Sequence, residues 1–109
     1  MPNNLDLTFK TLADPTRRAV LARLTSGPAP VTDLAAPFDM ALPSFMQHVR
    51  LLEDAGLVTT QKQGRTRICS LQPDALAEVE NWLNRQRSAW NARFDRLETY
   101  LDEEISDDA

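Results

Sequence analysis

The chain has 109 residues, 42% hydrophobic and 26% charged, which is the size and balance of one water-soluble domain with a single core. No run of the sequence is apolar and long enough for a membrane span, and Met1 to Asp6 lacks the basic cluster and apolar stretch of a secretory leader, so a cytoplasmic protein is expected. The net charge of -4 opposes a nucleic-acid partner only until its distribution is read: six of the sixteen acids follow Leu97 with no basic residue among them, leaving 12 basic against 10 acidic residues upstream, a mildly basic body with an acidic tail.

Leu5, Phe9 and Leu12 recur at i, i+4 and i+7, which predicts a first helix ending near Ala13. Asp14-Pro15 reads as an N-cap followed by proline at the first helical position, where the missing N–H costs nothing. A second helix is expected from Pro15 to about Thr25, burying Val20, Leu21 and Leu24, with Ser26-Gly27-Pro28-Ala29-Pro30 stopping it. Thr32 to Ala36 gives a short third helix limited by Pro37. Leu42, Phe45, Val49 and Leu52 form a stripe at helical spacing, so a fourth helix spans Leu42 to Ala55 with that stripe buried and Pro43 near its start. Gly56 supplies the left-handed position at which helices stop.

Leu57 to Lys62 and Arg67 to Leu71 favour strands and are joined by Gln63-Gly64-Arg65-Thr66, which predicts a two-stranded hairpin with a basic tip. From Pro73, Leu76, Val79, Leu83, Trp90, Phe94, Leu97 and Leu101 fall at steps of three and four, interrupted by Gln86. A helix of about 30 residues is about 45 Å long, more than this small domain can cover, so a second copy of the chain is expected to bury part of the stripe. The domain is expected over residues 1–103, with 104–109 an acidic, disordered tail. The order α-α-α-α-β-β-α is mainly α with a small β-hairpin, a winged helix-turn-helix.

In such a unit the second helix of the pair enters the major groove of double-stranded DNA. At about 100° per residue, burying the stripe turns Pro43, Ser44, Gln47, Arg50 and Leu51 outward and leaves Met46 and His48 on the flanks. Gln47 can pair with adenine, Ser44 with a base or a phosphate, Met46 and Pro43 with a thymine methyl. Arg50 is better placed for phosphate, and Lys62, Arg65 and Arg67 make a basic wing for the backbone or minor groove.

Leu12-Ala13-Asp14-Pro15-Thr16-Arg17-Arg18, the run from His48 to Val58 and the Gly64-Arg65 wing together resemble the ArsR family of dimeric bacterial repressors. The resemblance implies a homodimer built from the first and last helices, through Leu5, Phe9, Leu76, Val79, Leu83, Trp90, Phe94 and Leu97. It also implies an imperfect inverted repeat overlapping a promoter, read by the fourth helix. The family's metal sensors carry cysteines in the third helix or histidines and carboxylates in the last. Here Asp33 to Met40 has no cysteine and the last helix no histidine, so no metal site and no cofactor is expected. Ala41 and Met46 also depart from the hydroxyl residues common at those positions.

Several residues carry two readings. His48 either packs against its neighbours or touches DNA. Arg17 and Arg18 either pair with Asp14 or acids of the tail or reach phosphate, and the arginines of the last helix read as a solvated face. Cys69, the single cysteine, excludes an internal disulfide, fits a reducing compartment, and reads either as a small packed residue or, with Arg67 on the same strand, as a redox switch. Trp82 and Trp90 read as core or dimer packing rather than a ligand pocket. An enzyme is excluded because no nucleophile, metal or phosphate-loop motif is present. The net negative charge leaves one alternative to the repressor, a winged-helix protein-interaction module that does not bind DNA.

Overall fold

The computed structural model describes residues 4–107. Helix α1 (Asn4–Leu12) and helix α2 (Pro15–Leu24) meet at Asp14, whose extended backbone and side chain cap α2 by accepting from the Arg17 amide at 3.1 Å. Proline at the first turn adds no unsatisfied donor. The apolar residues of α1 do not all turn inward. Its fully buried positions are Thr8 and Thr11, with Leu7 and Leu12 packed against the core. Each threonine hydroxyl donates to the carbonyl four residues back, Thr8 to Asn4 at 2.8 Å and Thr11 to Leu7 at 2.7 Å, so burial leaves no polar atom unpaired. Phe9 is left 37% exposed.

Helix α3 (Val31–Ala35) and helix α4 (Leu42–Asp54) form the helix-turn-helix pair. Phe45, Val49 and Leu52 of α4 are completely buried, and Phe38 from the turn between the helices stacks on Phe45 at 5.7 Å. Leu42, expected in the same stripe, is instead 48% exposed, because it occupies the first helical position after Ala41 where the chain has just entered the helix. The far end closes as expected on Gly56, at φ +74°. Its amide donates to Glu53 O and that of Leu57 to Leu52 O, both at 2.9 Å, a double closure that satisfies the last carbonyls.

Strands β2 (Val58–Gln63) and β3 (Thr66–Leu71) pair antiparallel around a two-residue loop, with Gly64 at φ +63°. The sheet has a third member. Strand β1 (Ala29–Pro30) pairs with β3, Ala29 opposite Cys69 and Pro30 opposite Ile68, giving the order β1-β3-β2. The expected two-stranded hairpin is thus incomplete. Two residues bracketed by Pro28 and α3 carry no periodicity, and Pro30 is compatible with pairing only because β1 lies at an edge.

Helix α5 runs over Pro73–Asp107 without interruption, so residues 104–107, expected in a disordered tail, are helical here, while residues 108 and 109 lie outside the described residues. Its beginning belongs to the first compact unit, which ends at Val79. Val79 is buried there and Leu76 packs against the core. From Glu80 on, α5 forms a second unit. Along it Leu83, Trp90, Phe94, Leu97, Leu101 and Ile105 are between 46% and 70% exposed, with Trp90 and Phe94 stacked one turn apart at 5.9 Å.

Cys69 is fully buried at the centre of the sheet, and burial, with a smaller contribution from the Glu53 charge, pushes its thiol up to about 11. Thiolate is therefore scarce at neutral pH in the folded state and abundant only once the strand is exposed. At pH 8, a disulfide thiol reagent should label native protein no faster than global opening allows, and unfolded protein at the rate of a free thiol. Labelling of native protein at the free-thiol rate would mean that β3 opens locally.

Candidate nucleic-acid interface

With its stripe anchored, α4 presents Pro43, Ser44, Gln47 and Arg50 to solvent, and Met46 and His48 are half-buried on its flanks. The helix starts without a side-chain cap: Ala41 precedes it and makes no capping hydrogen bond, and Pro43 in the first turn has no N–H. Its first turn therefore ends in open backbone donors, where the helix dipole favours negative charge. Beside it lies a cleft of about 200 Å³, lined by Val31, Thr32, Leu42 and Met46 on the helical side and by Arg65, Thr66 and Arg67 on the wing. The exposed Leu42 side chain forms part of its lining.

The wing places its cations unevenly. Lys62 and Arg67 are direct cross-strand partners on the face shared with Cys69, a like-charge juxtaposition that destabilises a bare hairpin. Arg67 turns from Lys62 toward the body. Its Nη1 donates to Thr60 Oγ1 at 2.9 Å, and Thr60 Oγ1 donates in turn to Glu53 Oε1 at 3.0 Å. Glu53 lies in the last turn of α4, so this chain ties the wing to the end of that helix. Glu53 and Thr60 did not stand out in the sequence. The diagonal parity of Thr60 and Arg67 across β2 and β3 was the signal that joins them. Lys62 and Arg65 are exposed.

His48 faces α2 rather than solvent. Arg17 Nη1 lies 3.1 Å from His48 Nδ1, and Asp14 Oδ1 lies 3.9 Å from the same nitrogen. Guanidinium has no acceptor, so the hydrogen bond requires Nδ1 to be the unprotonated nitrogen and Nε2 to carry the proton. Arg17 also donates from Nε to Thr11 O at 2.7 Å and from Nη2 to Lys10 O at 3.4 Å, while Arg18 Nη1 donates to Leu12 O at 2.8 Å. Together the two arginines cap the C-terminal carbonyls of α1 with positive charge. For Asp14, partial desolvation works to raise the carboxyl but is outweighed by the Arg17 amide, the Arg17 charge and the Thr16 amide, which hold it below its ordinary value of 3.8.

Of the residues expected at a subunit contact, Leu83, Trp90, Phe94 and Leu97 are exposed, Leu5 is half-buried, and Leu76 and Val79 are engaged within their own chain. Among the described residues no group of three His, Cys, Asp or Glu side chains is placed to hold a metal ion, and no helix is long and apolar enough to cross a membrane.

Comparison with known proteins places this geometry. The family described as a helix-turn-helix domain matches residues 12–61. Over 80 residues the chain is 38% identical to the HTH-type transcriptional regulator Rv2034 of Mycobacterium tuberculosis, covering 73% of this chain and 75% of that protein. It is 32% identical to the transcriptional repressor SdpR of Bacillus subtilis, covering 69% of this chain and 83% of that one. The crystal structure of an ArsR family transcriptional regulator matches with a TM-score of 0.80 at 54% identity, over 84% of this chain and 94% of the other.

The cap that begins α2 is open to measurement. Asp14→Ala should cost about 1 kcal/mol at pH 7. Because the folded carboxyl sits below 3.8, its contribution is complete above that value and is lost as pH falls through the lower folded value. Urea midpoints of wild type and variant should therefore differ at pH 7 and converge on acidification below pH 4. A gap unchanged down to pH 2 would show that the ionised carboxylate contributes nothing.

Proposed function

The chain belongs to the ArsR family of winged helix-turn-helix transcriptional regulators, and on that footing we propose that it is a homodimeric repressor that docks α4 of each protomer in the major groove. The observation that carries this reading is the division of α4 into a fully buried apolar stripe and an exposed face of Pro43, Ser44, Gln47 and Arg50, set beside an exposed Lys62 and Arg65. Gln47 and Ser44 reach base edges from the first turns, Met46 and Pro43 meet thymine methyls, and Arg50 meets phosphate. Arg65 and Lys62 hold the backbone beside the cleft. Arg67 acts by bracing the wing through Thr60 and Glu53.

The second copy is supported by the exposed stripe from Leu83 to Leu101 and by α1, which keeps threonines for its own core and leaves Phe9 partly exposed. Docking two reading helices about 34 Å apart calls for an operator with inverted half-sites one helical turn apart, or a multiple of that. Such an operator overlaps a promoter, with the protein's own operon one target, and the protein works on it in the cytoplasm. The sequence holds one cysteine and one histidine, too few thiolate and imidazole ligands for a transition-metal site, so repression proceeds without a metal or other cofactor.

Two measurements test this. Gel shifts with genomic fragments should yield a specific site, and on it Gln47→Ala should lose about 1 to 3 kcal/mol and relax preference at one base pair per half-site. Arg65→Ala should weaken all sequences alike and reduce the slope of log K against log salt by about two per dimer. Absence of binding to any fragment would leave a protein-interaction module in its place. In sedimentation the wild type should be a dimer at micromolar concentration, and Phe94→Glu with Leu97→Glu a folded monomer with weakened DNA binding. Wild type sedimenting as a monomer would remove the two-half-site arrangement.

A further inference from the structure

We infer that Arg17 and His48 are positioning residues that set the rotation of the reading helix, although neither touches DNA. The inference rests on α4 being the reading helix, as proposed above. Burial of Phe45, Val49 and Leu52 fixes how deep α4 sits, but apolar contact is not directional, and those side chains alone tolerate a small roll about the helix axis. A roll of about 10° carries a side-chain tip on a helix of about 5 to 6 Å radius by about 1 Å, enough to spoil the paired hydrogen bonds by which Gln47 would read adenine. A directional polar contact on the flank of α4 adds a restraint on the roll that apolar burial lacks.

The Arg17–His48 contact supplies that restraint. His48 is the residue after Gln47 and one turn after Ser44, so holding its ring holds the side chains that face the groove. Its Nδ1 is fixed at 3.1 Å from Arg17 Nη1. Arg17 is itself immobilised by its Nε donating to Thr11 O and its Nη2 to Lys10 O, and its own amide is bound by the Asp14 carboxylate. The guanidinium thus spans three elements: the end of α1, the start of α2 and the flank of α4. Each of its three nitrogens has a protein acceptor, which engages three of its five N–H groups and holds the fork against the body. Rotation of α4 is in this way referred to α1, a helix that the dimer reading places at the subunit contact.

The experiment compares His48→Asn, which keeps an acceptor near the Nδ1 position, with His48→Phe, which keeps the ring and loses the acceptor. Arg17→Met and the Arg17→Met/His48→Phe double variant complete a cycle. Binding to the selected operator across a salt series is read by fluorescence anisotropy. His48→Asn should stay within about twofold of wild type, His48→Phe and Arg17→Met should each bind about tenfold more weakly, and the double variant should be no weaker than Arg17→Met. The salt slope should be unchanged in all four, since no phosphate contact is removed. A slope lower by about two per dimer in either single variant, or His48→Asn as weak as His48→Phe, would overturn the inference. Nitrogen-15 spectra of the His48 ring supply a readout without DNA. The accepting Nδ1 signal should move in Arg17→Met, and an unmoved signal means the hydrogen bond does not form in solution. If wild type binds no DNA while that signal does move, the reading of α4 fails and the contact between the helices stands.

Discussion

Everything in the first compact unit depends on the burial of one stripe. Phe45, Val49 and Leu52 are each at 0% exposure, and they touch the elements on every side: the turn from α3 through Phe38, α2 behind, and the sheet through Leu57 and Val58. A buried side chain of this size contributes about 1.5 to 3 kcal/mol relative to exposure, so three of them on thirteen residues hold α4 more firmly than helix propensity can. The opposite face is then free to be chosen for something other than stability. That freedom allows Pro, Ser, Gln and Arg to sit side by side on an exposed surface without weakening the fold.

Around this apolar anchor the polar groups serve the ends of the helices. Asp14 caps the start of α2, Arg17 and Arg18 cap the end of α1, and Gly56 lets α4 close on its own carbonyls. No buried side-chain nitrogen or oxygen lacks a partner among the described residues. The two basic residues that sequence alone leaves ambiguous are engaged in this way, because the last carbonyls of a helix compete effectively for a nearby guanidinium. Arg67 is drawn in by side chains instead, donating to the Thr60 hydroxyl that in turn donates to the Glu53 carboxylate.

What the sequence made legible is what repeats or punctuates. The α4 stripe from Phe45 to Leu52, the Asp14-Pro15 start, the Gly56 stop and the Gly64 turn each combine a spacing with a residue type, and each stands in the structure where it was expected, Leu42 alone of the stripe being exposed. Burial direction was less legible where a helix has two apolar faces. On α1 the inward face is taken by Thr8 and Thr11, which no hydrophobic pattern selects, because intrahelical hydrogen bonds make those hydroxyls behave as apolar. Strand β1 is too short for alternation to be seen. His48 was legible as a flank residue but not as a partner of Arg17, since 31 positions separate them. Exposure of Pro43, Ser44, Gln47 and Arg50 was read correctly from the helical wheel.

The small strand that escaped the sequence also governs how this protein behaves in concentrated solution. A sheet ending in an open strand offers unpaired N–H and C=O groups to any other chain, and that is the route to edge-to-edge association. Here the β1 edge is two residues long, and Pro30 presents no N–H along it. The other edge, β2, carries Lys62 near its end, a charge that resists stacking of identical strands. Both borders of the sheet are therefore poor templates for edge-to-edge pairing, which disfavours association through the wing of a free protomer.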